Sequence, residues 1–97
     1  MNVEYHPLAV SDLNNAVAAY DRQQSLLGNE IRAEVYAAFE RIRSAPLAYA
    51  TVQNDLRRCM VHRFPYSLVF RVIGDDTVRI LVIRHHRQRP GYGLGRR

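Results

Sequence analysis

The chain contains no lysine, no tryptophan and one cysteine, and nowhere does it run for about 18 residues through apolar side chains alone. Each absence excludes something. A lone Cys59 cannot close an internal disulfide, which removes the class of small, stapled, secreted domains. Without a run of bilayer length, or a charged then apolar leader, no membrane partner is expected and the chain reads as soluble and cytoplasmic. Cys59 has no partner at Cys-x-x-Cys spacing, and no glycine loop precedes a helix. The sequence therefore offers neither a zinc site nor a phosphate cradle, and no metal or cofactor is expected.

What is present is arginine. All fourteen basic residues are Arg, giving a net charge of +5, and they are segregated along the chain. Up to Asp55 four arginines face seven acids; beyond it ten arginines face two, Asp75 and Asp76. Arginine in place of lysine favours planar, bidentate contact with carboxylate or phosphate and stacking on aromatic rings.

At 97 residues the chain has room for one core. A short alternating stretch at Val3–Tyr5 reads as a first strand, and Pro7 suits the first turn of a helix. Ala9, Leu13, Ala16, Val17, Tyr20 and Leu27 then recur at helical spacing, with Gly28 as the expected stop. Asn29 is the expected cap of a second helix whose stripe is Ile31, Val35, Ala38, Phe39 and Ile42, ending at Ser44-Ala45-Pro46. After a loop over 46–55 the period changes to two. Strands are predicted over 58–64, 67–73 and 77–83, with Gly74-Asp75-Asp76 as a hairpin turn. Strict alternation in the last strand sends Val78, Ile80 and Val82 to one face and Arg79, Leu81, Ile83 and His85 to the other.

The expected fold is α+β in two layers: an N-terminal strand and an antiparallel helix hairpin packed on one face of a small antiparallel sheet. Residues 1–85 form the single domain. Residues 86–97 form an Arg/Gly-rich tail, with too little apolar content to offset the entropy of ordering it.

Three segments in this order, Leu56-Arg57-Arg58, Phe64-Pro65-Tyr66 and His85 through Arg89-Pro90-Gly91-Tyr92, resemble the toxin half of RelE/ParE-type toxin–antitoxin modules over nearly the whole chain. The resemblance implies a small sheet covered on one face by two N-terminal helices. It also implies growth inhibition, plasmid stabilization and a cognate antitoxin that binds the toxin directly as a hetero-oligomer. ParE-like members act on DNA gyrase, whereas RelE-like members cut mRNA on the ribosome. The Arg-Pro-Gly-Tyr tail and the missing lysines favour the ParE-like branch, although Gly93 stands where that pattern usually has tryptophan.

On this reading the partner-binding residues are Arg57, Arg58, Arg71, Arg79, His85, Arg87, Arg89 and Tyr92, and the target is DNA gyrase. The alternative, a ribosome-dependent endoribonuclease with the ribosome and mRNA as partners, would draw its acid, base and phosphate ligands from His85, Tyr92, Arg58, Arg63, Arg79 and Arg84. His86 is a further candidate near neutral pH. A third reading is a basic nucleic-acid-binding module without catalysis.

Overall fold

A computed structural model describes all 97 residues. Strand β1 (Asn2–Tyr5) leads into helices α1 (Pro7–Gln23) and α2 (Leu27–Ser44); a 3-10 turn at Pro46–Ala48 precedes β2 (Thr51–Gln53), β3 (Leu56–Met60), β4 (Tyr66–Ile73) and β5 (Thr77–His85). The His6 side chain caps α1 by accepting the Leu8 N–H at 3.0 Å, and Pro7 fills the first turn.

Gly28 is not the stop between the helices. The chain turns at Leu26, whose φ is 68°, and Gly28 lies buried in the first turn of α2. Its N–H donates to Asp21 Oδ1 at 2.7 Å, and a Cβ there would meet the Val17 carbonyl oxygen at 2.6 Å. The glycine is what lets the two helices approach at their closed end.

The sheet runs β1-β5-β4-β3-β2. It is mixed rather than wholly antiparallel, because β1 pairs with β5 in parallel, Val3 opposite Val78 and Tyr5 opposite Ile80. The whole chain between them serves as the connection, which is long enough for a parallel pair. A further strand, β2, lies within the expected loop; it folds back on β3 through Asn54, at φ 52°, and Asp55. Strand β3 stops at Met60 instead of reaching Phe64. Arg63 takes φ 70° and the Tyr66 N–H turns back to the Phe64 carbonyl at 2.8 Å.

The strict alternation expected in β5 fails at one place. Val69 pairs with Val82 but Phe70 pairs with Ile80, leaving Leu81 as an extra residue. This β-bulge puts Leu81 and Val82 on the same face and reverses the side on which every later residue lies. Val78, Ile80, Ile83 and the Tyr66 partner His85 share the helix side; Leu81, Val82 and Arg84 face away.

Two cores result. Sixteen buried residues fill the space between helices and sheet, among them Ile31, Val35, Ile42, Leu68, Phe70 and Ile80. On the other face Leu56, Val69, Leu81 and Val82 form a second cluster, against which Tyr92 and Leu94 of the tail pack. The tail is thus ordered against the sheet, contrary to the expectation drawn from its composition. Its own apolar content is small, but the bulge supplies two adjacent aliphatic side chains for it to cover, each worth about 1.5–3 kcal/mol when fully buried.

Candidate functional site

Beyond Tyr5 strand β1 ends, so β5 from Leu81 onward has an unpaired edge. Buried backbone groups on that edge need partners. Asp12, buried on α1, supplies one: its Oδ2 accepts the Ile83 N–H at 3.1 Å. Arg96 supplies the other, with Nη1 donating to the Leu81 carbonyl at 2.9 Å and to Asp12 Oδ2 at 2.7 Å. The Tyr92 hydroxyl donates to Asp12 Oδ1 at 2.7 Å and accepts from Arg96 Nη2 at 3.1 Å, while the Arg96 guanidinium stacks 5.0 Å from the Tyr92 ring.

The tail is therefore clasped to both layers at once. Burial works against the Arg96 charge, but hydrogen bonding to Asp12 and the Asp12 charge, with Tyr92, outweigh it and hold its pKa above the ordinary arginine value. Gly93, at φ 75°, presses its backbone onto Val82: a Cβ there would lie 2.6 Å from Cγ2. Only glycine meets both conditions. Where the ParE-like pattern has tryptophan, this chain has a close backbone contact.

Beside the clasp, on the same face, lies a groove of about 480 Å³ bordered by Val52 and Gln53 on β2 and by Pro90, Gly91 and Leu94 of the tail. Arg58, Ser67, Val69 and Arg84 line it. Ser67 is buried, its Oγ donating to Met60 Sδ at 3.2 Å and lying 2.9 Å from His86 Nε2. Arg84 donates to the carbonyl oxygens of Gln88 and Arg89 in the turn that starts the tail.

Of the remaining expected site residues, His85 lines a pocket of about 260 Å³ together with Tyr92, Asp12 and Tyr66, and the arginines lie apart from it. His85 lies on the helix side, edge-on to Tyr66 at 5.0 Å, where its Nδ1 accepts the Arg87 N–H at 2.9 Å. Burial, then the Arg87, His86 and Arg84 charges, lowers its pKa below the ordinary histidine value, so the neutral ring is favoured. Arg63 pairs with Glu30 and Glu34 of α2 at 2.7 and 3.6 Å. Arg57 secures the loop before β2 by donating to the Tyr49 carbonyl at 2.6 Å. Arg71 and Arg79 share the groove's face but are ion-paired with Asp55 and Glu4 at 3.0 and 3.4 Å. Arg87 and Arg89 are exposed on the turn after β5.

Phe64-Pro65-Tyr66, one of the segments that carried the resemblance, is scaffold. Phe64 and Tyr66 pack on Tyr20 of α1, at ring separations of 5.1 and 6.2 Å, and the Pro65 carbonyl accepts the His86 N–H. Asp12, Ser67 and Arg96 were not foreseen. Asp12 carried a signal: it is a carboxylate within the Ala9, Leu13, Ala16 stripe, where a buried polar residue needs a reason. Ser67 and Arg96 carried none.

With this geometry in place, comparison with known proteins gives consistent findings. A family model described as the ParE toxin of the type II toxin–antitoxin system parDE matches residues 3–90. A solved chain of the chromosomal ParDE TA system from P. aeruginosa superposes with a TM-score of 0.76 at 19% identity, covering 88% of this chain and 95% of that one. No sequence among curated proteins matches.

Proposed function

The chain belongs to the family of ParE toxins of type II toxin–antitoxin systems, and from that premise we propose that it arrests growth by binding DNA gyrase and is silenced by direct binding of a cognate antitoxin. The observation that carries the choice of binding over catalysis is the separation of the acid–base candidates from the phosphate ligands an endoribonuclease would use: His85 and Tyr92 line one small pocket with Asp12 and Tyr66, and Arg58 and Arg84 line another. His85 lies under Tyr66 with one ring nitrogen occupied, the Tyr92 hydroxyl is committed to Asp12, and Arg63 is paired on α2. None of these shares the groove of Arg58 and Arg84. General acid–base catalysis needs its groups within hydrogen-bond reach of one reacting centre.

An antitoxin partner is also supported by apolar surface. Tyr5, Val10 and Tyr36 are 45%, 46% and 49% exposed around a cleft of about 230 Å³ between the helices and β1, with Arg32 among its lining. Such a surface suits an amphipathic, acidic segment that folds as it binds. The exposed Arg87 and Arg89 remain contact candidates for the gyrase interface, in a soluble cytoplasmic hetero-oligomer.

The test is supercoiling of relaxed plasmid by purified gyrase and ATP. Graded inhibition by the purified chain is expected, without any effect on message integrity in a translating extract. Undisturbed supercoiling together with cleavage of ribosome-bound mRNA would reverse the choice.

A further inference from the structure

The pocket of about 260 Å³ on the helix side, between α1, the ends of β4 and β5 and the tail, holds more polar chemistry than the clasp uses. Three of the groups that line it have a hydrogen without a partner. His85 Nδ1 accepts the Arg87 N–H at 2.9 Å, so the neutral ring carries its proton on Nε2, which bonds to nothing in the chain. Gln88 Oε1 accepts the His85 N–H at 2.9 Å, which fixes the carboxamide and leaves its NH2 unpartnered. Tyr66 is 8% exposed, yet its hydroxyl makes no hydrogen bond in the chain and is not sealed from solvent. This pocket is the one cavity that Tyr66 lines. A phenol set this deep without a partner calls for one.

The electrostatics favour an anion there. Asp12 is the pocket's one carboxylate and is already satisfied: Oδ1 accepts from Tyr92 and Arg96, Oδ2 accepts from Ile83 and Arg96, and the Arg96 charge offsets its own. Arg84 and Arg87 belong to no ion pair. Burial, then the charges of Arg87, His86 and Arg84, keeps His85 neutral, and the same positive field draws an anion toward its Nε2–H. Ala16 and Ile83 add apolar wall.

We propose that this pocket is a carboxylate-binding site, taking a carboxylate on a short aliphatic stem with Tyr66, His85 and Gln88 as its donors. Two oxygens in one plane can accept from a phenol, an imidazole N–H and a carboxamide together, each a charge-assisted bond. No guanidinium lines the pocket to match a second charge, so a monoanion suits it better than a phosphate dianion. An occupant would touch α1, the sheet and the tail at once, and would stabilise the closed tail by mass action. The site does not depend on the toxin's cellular target, and a failed supercoiling assay would leave it standing.

The probe is sodium butyrate, titrated at constant ionic strength into the isotopically labelled full chain while the His85 side-chain and Tyr66 resonances are followed by NMR. Butyrate should move both, raise Tm and slow tryptic cleavage after Arg87. Butyramide, of the same shape without the charge, should bind at least about fivefold more weakly. Tyr66→Phe should weaken butyrate by about tenfold with Tm unchanged, since that hydroxyl bonds nothing in the chain. Gln88→Glu keeps an acceptor for the His85 N–H but replaces the donors with a like charge, and should abolish binding. Arg58→Ala, in the groove on the other face, should leave it intact. Glutamate blocked at both backbone ends separates the sources: tighter binding than butyrate assigns the carboxylate to a side chain of a bound polypeptide, and equal or weaker binding assigns it to a free small acid. No shift with either acid, equal binding of butyramide, wild-type affinity in both Tyr66→Phe and Gln88→Glu, or tighter binding of inorganic phosphate at the same resonances would overturn the site.

Discussion

Asp12→Ala is the perturbation that most directly probes the clasp between tail, sheet and helix. The carboxylate and the Arg96 guanidinium are 7% and 11% exposed and 2.7 Å apart. Breaking such a pair from one side costs about 3–5 kcal/mol, because the surviving charge remains buried. The same change orphans the Ile83 N–H, worth about 1–3 kcal/mol more. The two do not add in full, since Arg96 sits two residues from the end of the chain and can swing into water if the tail lifts. A net loss of about 3 kcal/mol is expected. In a domain of this size that lowers Tm by roughly 12–24 °C. Urea unfolding at constant m reads it directly, and an Asp12→Ala, Arg96→Ala cycle should return a coupling of at least about 1.5 kcal/mol. A cost for Asp12→Ala below about 0.5 kcal/mol, the range of ordinary surface substitutions, would refute the reasoning.

Gly93→Ala, which would drive a Cβ to 2.6 Å from Val82 at φ 75°, should release the tail without unfolding the rest, seen as faster amide exchange at Ile83 and faster tryptic cleavage after Arg87. Deleting residues 90–97 should destabilise the domain by about 2–4 kcal/mol, since it uncovers Val82 and strands Asp12; an unchanged melting temperature would contradict the second core. Gly28→Ala should cost about 1–3 kcal/mol in the same urea assay, as the obstructing Val17 atom is backbone and cannot rotate away. The lowered pKa of His85 means that the unfolded chain takes up its proton first. Its contribution is present above the unfolded value of about 6.5 and is lost as pH falls from there toward the folded pKa, and His85→Gln should flatten stability against pH across that window.

The helix stripes were legible because an apolar face repeated every three or four residues leaves one solution, and Ile31, Val35, Ala38, Phe39 and Ile42 are all in the core. β4 and the hairpin turn after it were legible for the same reason at period two. The bulge was not. Leu81, Val82 and Ile83 are three consecutive aliphatic residues, so no alternation marks which one is extra; the sheet decides by pairing Val82 with Val69 and Ile80 with Phe70. That single residue moves His85 to the helix side and brings Arg84 to the groove. It also creates the apolar seat that a composition-based reading of the tail had no means of finding. Long-range partners such as Asp12 with Arg96, 84 positions apart, leave no periodic trace. The all-arginine second half was visible at once, but its division into paired and unpaired charges depends on where Glu4 and Asp55 fall in the sheet.

The central claim, that the free chain is a toxin acting through gyrase, is tested most directly by pulse incorporation of labelled thymidine and labelled methionine in bacteria during the minutes after the chain is induced without its antitoxin. The account predicts that thymidine incorporation falls first while methionine incorporation continues. Translation failing first, with DNA synthesis intact, would contradict it.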